Sequence, residues 1–323
     1  MTRIIKKMRF DRHIWFLQLG RMGLYFLVLF TTAGVSQTAQ AAKLKQKTFV
    51  TPESAVESLV AVNNNYNGTK LVNILGPHSQ RLVFSGDPVA DKKGRKKFLD
   101  AYNVSHKIES DGDDRRILVV GKEEWPFPIP IVRSGGVWRF DSVAGEQEIL
   151  NRRIGRNELS VIQVCRAYVE AQREYAEQKL RVSGKLEYAP RLHSTQGKHD
   201  GLYWITKPGE EESPLGKFIA SAEAEGYGEQ VIQAREPYHG YFFKLLKKQG
   251  DNASGGARNY IIDNRMTIGF ALIAFPAKYG NSGVMTFIIN QDGIVFEKNL
   301  GPRTANIARQ IAQYDPDSTW KIL

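Results

Sequence analysis

The chain has 323 residues, a formal charge of +11, 42% hydrophobic residues and a single cysteine. A chain of this length buries enough surface to fold without disulfide staples, and Cys165 has no second cysteine to pair with. Its composition excludes a collagenous, disordered or disulfide-framed protein, and there is no low-complexity tract or solenoid-spaced repeat.

The first 41 residues read as an export signal. Arg3, Lys6, Lys7, Arg9, Arg12 and Arg21 form a basic leader, and Met22 to Phe30 form an apolar stretch. Ala39-Gln40-Ala41 then supplies the small-x-small pattern of a signal peptidase site, which places cleavage before Ala42. An uncleaved anchor is the alternative, but Arg21 cuts the apolar run short of the ~20 residues a bilayer requires. No cysteine adjoins the run and no arginine pair precedes it, which argues against lipoprotein and twin-arginine routes. Cleavage removes six basic side chains and one acid from the charge of +11, leaving +6. The expected location is periplasmic or secreted, with no membrane span after cleavage and no nucleic-acid partner. A basic surface there faces anionic lipid or wall polymer, or serves solubility.

Residues 47–142 are expected to form an N-terminal α+β domain. Thr51 and Pro52 suit the N-cap and first position of a helix whose apolar face is Val56, Leu59, Val60 and Val62. A second short helix is expected around Leu71, Ile74 and Leu75, ended by Gly76-Pro77. A third runs through "KKGRKKFLDAYNVSHKI", with Phe98, Leu99 and Tyr102 turned inward. Strands follow at 115–121, 128–136 and 137–141, with Ser134-Gly135-Gly136 as a tight turn. Helices first and an antiparallel sheet after them resemble the nuclear-transport-factor-two-like cone, a resemblance of element order.

Residues 143–323 are expected to hold a long helix packed on an antiparallel meander. Residues 143–156 read as a helical linker, and the main helix starts at Asn157. Ile162, Cys165, Tyr168, Val169, Tyr175 and Ala176 recur at three and four residues, which gives one apolar stripe. Cys165 lies in that stripe as a small buried hydrophobe. A long irregular segment, "KLEYAPRLHSTQGKHDGLYWITKPGEEESPLG", is followed by a short helix near Phe218 to Glu225. Strands "GYFFKLLKK", "YIID", "TIGFALIAF", "VMTFIIN" and "IVFEKNL" then read as successive members of one sheet, before a last helix "RTANIARQIAQY". "DNASGGARN" reads as a hairpin loop, since no helix follows it to hold a phosphate. In "GVMTFIINQDGIVFEKNLG", Met285, Phe287 and Ile289 alternate as in a half-buried strand, and Gln291-Asp292-Gly293 turns the chain.

The blocks "SGDPVAD", "WPFPIPIVRSGGVWRFD", "CRAYVEAQREYA", "GKHDGLYW", "PYHGYFFKLL", "MTIGFALIAFPAKYG" and "SGVMTFIINQDGIVFEKNLG" resemble the DUF2950 family of secreted bacterial proteins across nearly the whole mature chain. The resemblance implies export and no defined activity. Relatives often carry an acidic, glycine-rich segment where this chain has Lys179 to Lys185, so the calcium site such a segment implies is not expected here. The C-terminal half also resembles the globular part of type IV pilins and pseudopilins, without their hydrophobic stalk.

Few side chains suggest chemistry. His199-Asp200 is the best acid–base pair, and His239 with His193 supplies further imidazoles. Tyr203, Trp204, Tyr238 and Tyr241 could stack on sugar rings or pin a loop to the sheet. Glu123 and Glu124 beside Trp125 lack the separation across a cleft that a glycosidase pair needs. Lys92, Lys93, Arg95, Lys96 and Lys97 form either a solvated helix face or a contact for phosphate or anionic lipid. No metal-ligand spacing or nucleophile elbow occurs, so no metal or cofactor is expected. The reading is an exported, non-enzymatic interaction or assembly factor, partnered by another envelope protein or wall polymer. A hydrolase or carbohydrate-active enzyme using the His199 loop, and a small-ligand module with a cavity near Trp125 and Trp138, are the alternatives.

Overall fold

The computed structural model describes residues 45–207, 209–228 and 236–323; the leader and the cleavage position before Ala42 lie outside them. The fold is α+β, with seven helices and antiparallel sheets among the described residues.

Helix α1 (Pro52–Asn64) starts where Thr51 accepts a hydrogen bond from the Ser54 amide, with Pro52 at a position whose amide would be unpaired anyway. Asn67 caps α2 (Gly68–Leu75), which Gly76 ends at a positive φ of 97°. A 3-10 turn over Pro77–Ser79 leads into the short α3 (Gln80–Val83), and Asp87-Pro88 opens α4 (Pro88–Val104). The lysine-rich helix is as long as its sequence pattern suggests but starts and ends four residues earlier. Ser105 is extended, and His106–Ser110 pairs as strand β1 with β2 (Arg115–Val120). No residue of α4 is fully buried, so Phe98, Leu99 and Tyr102 only half cover the sheet below.

Strands β3 (Trp125–Pro126), β4 (Ile131–Ser134) and β5 (Val137–Phe140) complete this sheet in the order β1-β2-β4-β5, with β3 on β2. Gly135 and Gly136, at φ 60° and 79°, make the two-residue turn between β4 and β5. Leu59, Leu71, Ile74, Leu118, Ile131 and Phe140 meet in the core between α1, α2 and the sheet.

Helix α5 (Ser142–Ser183) runs unbroken for 42 residues, about 63 Å at helical rise, so the expected linker is its first turns. Asp141 caps it, and Gly184 closes it in the left-handed region. Its stripe of Val161, Cys165, Tyr168, Val169 and Tyr175 packs into a second core. There α6 (Gly216–Ala224) precedes the main sheet, built from β6 (Tyr241–Leu246), β11 (Ala271–Pro276), β12 (Thr286–Asn290), β13 (Phe296–Lys298) and β14 (Lys321–Ile322). Its order is β14-β13-β12-β11-β6, antiparallel throughout.

One expected member, and the tail of another, leave this sheet. β7 (Lys248–Gln249) pairs with β8 (Arg258–Asn259) around the glycine-rich loop, and β9 (Ile261–Ile262), from "YIID", pairs only with β10 (Arg265–Met266). β12 is buried on both faces rather than one. On the second face of the sheet, helix α7 (Thr304–Gln310) packs over β11 and β6. Phe243 of β6 faces the α5 side, while its neighbour Lys244 points the other way and donates to the carbonyls of Ala308, Arg309 and Ile311. That ammonium caps the end of α7 and holds it against the second face of the sheet.

Candidate functional site

The irregular segment after α5 is built on the helix itself. The Gln172 amide brackets Ala189, accepting from its N–H at 2.8 Å and donating to its carbonyl at 2.9 Å. The Tyr188 amide donates to Met266, and the amides of Ser194 and Tyr203 donate to Tyr203 and Leu192. These bonds fold residues 191–203 into a tight loop that only glycine at 201 permits. A Cβ there would lie 2.7 Å from backbone atoms of His193 and Ser194.

Within this loop His199 and Asp200 turn to different partners. Asp200 accepts from the amide and hydroxyl of Thr195 at 2.7 and 2.9 Å and lies 3.5 Å from Arg191. Burial alone would raise its pKa, but those bonds and the guanidinium outweigh it and hold the carboxyl below its ordinary range. The exposed His199 ring stacks on Trp204 with centroids 4.3 Å apart, and its carbonyl accepts from Tyr175. Trp204 is buried, and Tyr203 meets His193 edge to face at 5.7 Å. These aromatics close the loop onto the core.

The second cluster surrounds the turn before β6. Tyr238 and Tyr241 exchange backbone hydrogen bonds across His239-Gly240, both at positive φ, which makes a two-residue turn of the type that suits hairpins. His239 lies between Tyr227 and Tyr238, its Nε2 3.8 Å from Glu225. Glu225 in turn pairs with Lys93 of α4 at 3.2 Å. Burial lowers the His239 pKa more than Glu225 and Asp87 raise it, so the imidazole is neutral at pH 7. Burial also lifts the Tyr238 phenol to about 12.

The sequence alone did not single out the residues that organise this cluster. Asp87 is buried; one oxygen accepts from the Ala90 amide, and the other from the Tyr227 hydroxyl at 2.9 Å and the Gly240 amide at 2.8 Å. The Asp-Pro pair marks a helix start, a signal that could have drawn attention to it. Glu158 accepts through one oxygen from the amides of Val284 and Met285 and from the Tyr241 hydroxyl. Arg153 donates to the carbonyls of Arg81 and Leu82 and to the Asn281 side chain. These links join the helices of the first core to the sheet of the second.

Among the described residues His199 and His239 turn to separate partners, Trp204 for one and Tyr227, Tyr238 and Glu225 for the other. Burial pushes the Cys165 thiol up to about 12, which keeps it protonated in the core. Among the described residues no cluster of three or more His, Cys, Asp or Glu could hold a metal, and no helix is long and apolar enough to cross a membrane. An apolar cavity of about 50 Å³ lies between α5, α6 and the sheet, lined by Val164, Tyr168, Phe218 and Tyr238. That is far below the roughly 300 Å³ at which ligand pockets begin. A polar crevice of about 130 Å³ lies by Arg115, Phe127 and Glu148 at the first sheet.

A family model described as a protein of unknown function (DUF2950) matches residues 46–323, and the chain belongs to that family. No curated protein and no solved structure matches it.

Proposed function

We propose that this family member is exported to the bacterial envelope and works there by binding, as an interaction or assembly factor, without turning over a substrate. The basic leader, apolar run and Ala39-Gln40-Ala41 support export. What supports binding over catalysis is how the carboxylates near the candidate histidines are used. Asp200 is held by Thr195 and Arg191, and Asp87 by a helix-capping amide, a tyrosine and a turn. Each acts as a clamp for backbone geometry, and a general base needs lone pairs free for its substrate.

One arrangement favours a hydrolase as the second reading: the neutral His239 beside Glu225 at 3.8 Å. A single experiment separates the two. Tagged, exported protein is crosslinked in cells and recovered from the envelope fraction beside a variant carrying His199→Ala and Ile205→Ser, both at exposed loop positions. The binding reading predicts one specific partner, lost from the variant while its melting temperature is kept. Turnover in a hydrolase screen, abolished by His239→Asn and without any specific partner, would reverse the ranking.

A further inference from the structure

Lys92, Lys93, Lys96 and Lys97 are all exposed on α4. Lys92 and Lys96, and Lys93 and Lys97, are i, i+4 neighbours, so the four ammonium groups spread over about 140° of the helix surface opposite Phe98 and Tyr102. Like charges at this spacing weaken a helix, and the surroundings relieve only half of it. Lys93 meets Glu225 at 3.2 Å and Lys96 meets Asp100 at 2.7 Å. Among the described residues no carboxylate pairs with Lys92 or Lys97.

The face continues into exposed aromatics. The Arg95 guanidinium lies 3.5 Å from the centroid of the Tyr66 ring. Tyr66 and Phe84 are 43% and 38% exposed, large values for such rings. Both lie against Gly68, where an added Cβ would come within 2.6 Å of the Phe84 ring and 3.0 Å of the Tyr66 hydroxyl. Arg95 is the i+3 neighbour of Lys92, so it links the lysines of α4 to these half-exposed rings.

We propose that this surface of α4, Tyr66 and Phe84 docks on an anionic phospholipid bilayer. Separate phosphates in a plane match ammonium groups spread along a helix, whereas a single bound anion needs a concave cradle of N–H groups. Lysine stems lie along apolar surface while their charged ends reach headgroups, and aromatic rings settle at the same depth. The inference deepens the envelope reading and rests on it only for where the lipid would be met.

The test is sedimentation with vesicles of phosphatidylcholine alone or mixed with phosphatidylglycerol. Protein beginning at Ala42 is suitable, because residues 44–323 form one compact unit. Binding is expected only to the mixed vesicles and should fall as salt rises. Lys92→Gln with Lys97→Gln should weaken it at least about tenfold, since each cation near such a surface contributes measurably. Tyr66→Ser with Phe84→Ser should weaken it while leaving the salt dependence intact. Melting temperatures of all variants check that the fold is kept. Equal binding to both vesicle types, no binding to either, or unchanged binding by the lysine variant overturns the proposal. So does competition by inorganic phosphate beyond that of sodium chloride at matched ionic strength, which would assign the face to a free anion. Because the protein is purified, vesicle binding and export can fail independently.

Discussion

At Asp87 one buried carboxylate serves three donors from three segments: a helix start, the turn after α6 and the turn before β6. Such a group is costly to bury and stable only when its lone pairs are filled, so its partners are fixed in place with it. His239, next to Gly240 in that turn, carries the consequence for pH. Burial lowers its pKa below the ordinary 6.5, against the pull of Glu225 and Asp87 and with Lys93 and Arg156 adding to the lowering. As pH falls, the unfolded chain takes up the proton first. The contribution of His239 to stability is therefore present above the unfolded value and lost as pH falls through the folded one. Asparagine tolerates the left-handed backbone at this position (φ 48°) and cannot take up the proton. His239→Asn should therefore lose less melting temperature than the parent between about pH 7 and pH 5. Parallel curves for the two proteins would show that the imidazole is not the titrating group.

At the scale of elements, α5 carries two glycines with opposite roles. Gly145 lets the helix lie on the loop before β4: a Cβ there would stand 2.3 Å from the Pro128 carbonyl oxygen. Gly155 has open space around it, so its backbone freedom is only a cost. Gly155→Ala should stabilise the protein by about 0.5–1 kcal/mol, and Gly145→Ala should destabilise it by more than about 1 kcal/mol. Urea unfolding of the two variants checks the sign of each. Equal effects would mean that the close approach at Pro128 does not shape the helix start. Helix α1, the stripe of α5 and the Gly135-Gly136 turn were legible in the residues because caps, periodicity and turn chemistry are local. β1 was not, since "HKIES" has one apolar residue and becomes a strand only by pairing with β2. The second buried face of β12 was hidden for a similar reason. On that side of the sheet α7 is anchored by Lys244, 64 to 67 residues from the carbonyls it binds. In the candidate site, the sequence pointed to the histidines but not to Asp87, Glu158 or Arg153, whose partners lie 71 to 153 residues away.

Across the whole molecule, these long-range bonds make the described residues from 45 onward one body with two cores. Arg153 and Asn281 tie α3 and α5 to the loop before β12, and Lys278 reaches the Phe84 carbonyl. A compact unit of this kind suits a protein that presents surfaces: an exposed loop around His199 and Ile205, and a cationic face on α4. Both surfaces matter only if the chain reaches the envelope, so export is the central claim. Its most direct test is the mass of the N-terminal peptide from the tagged full-length chain, measured in cytosolic and extracytoplasmic fractions. The account predicts a peptide beginning at Ala42 outside the cytosol. An intact chain beginning at Met1 and confined to the cytosol would contradict it.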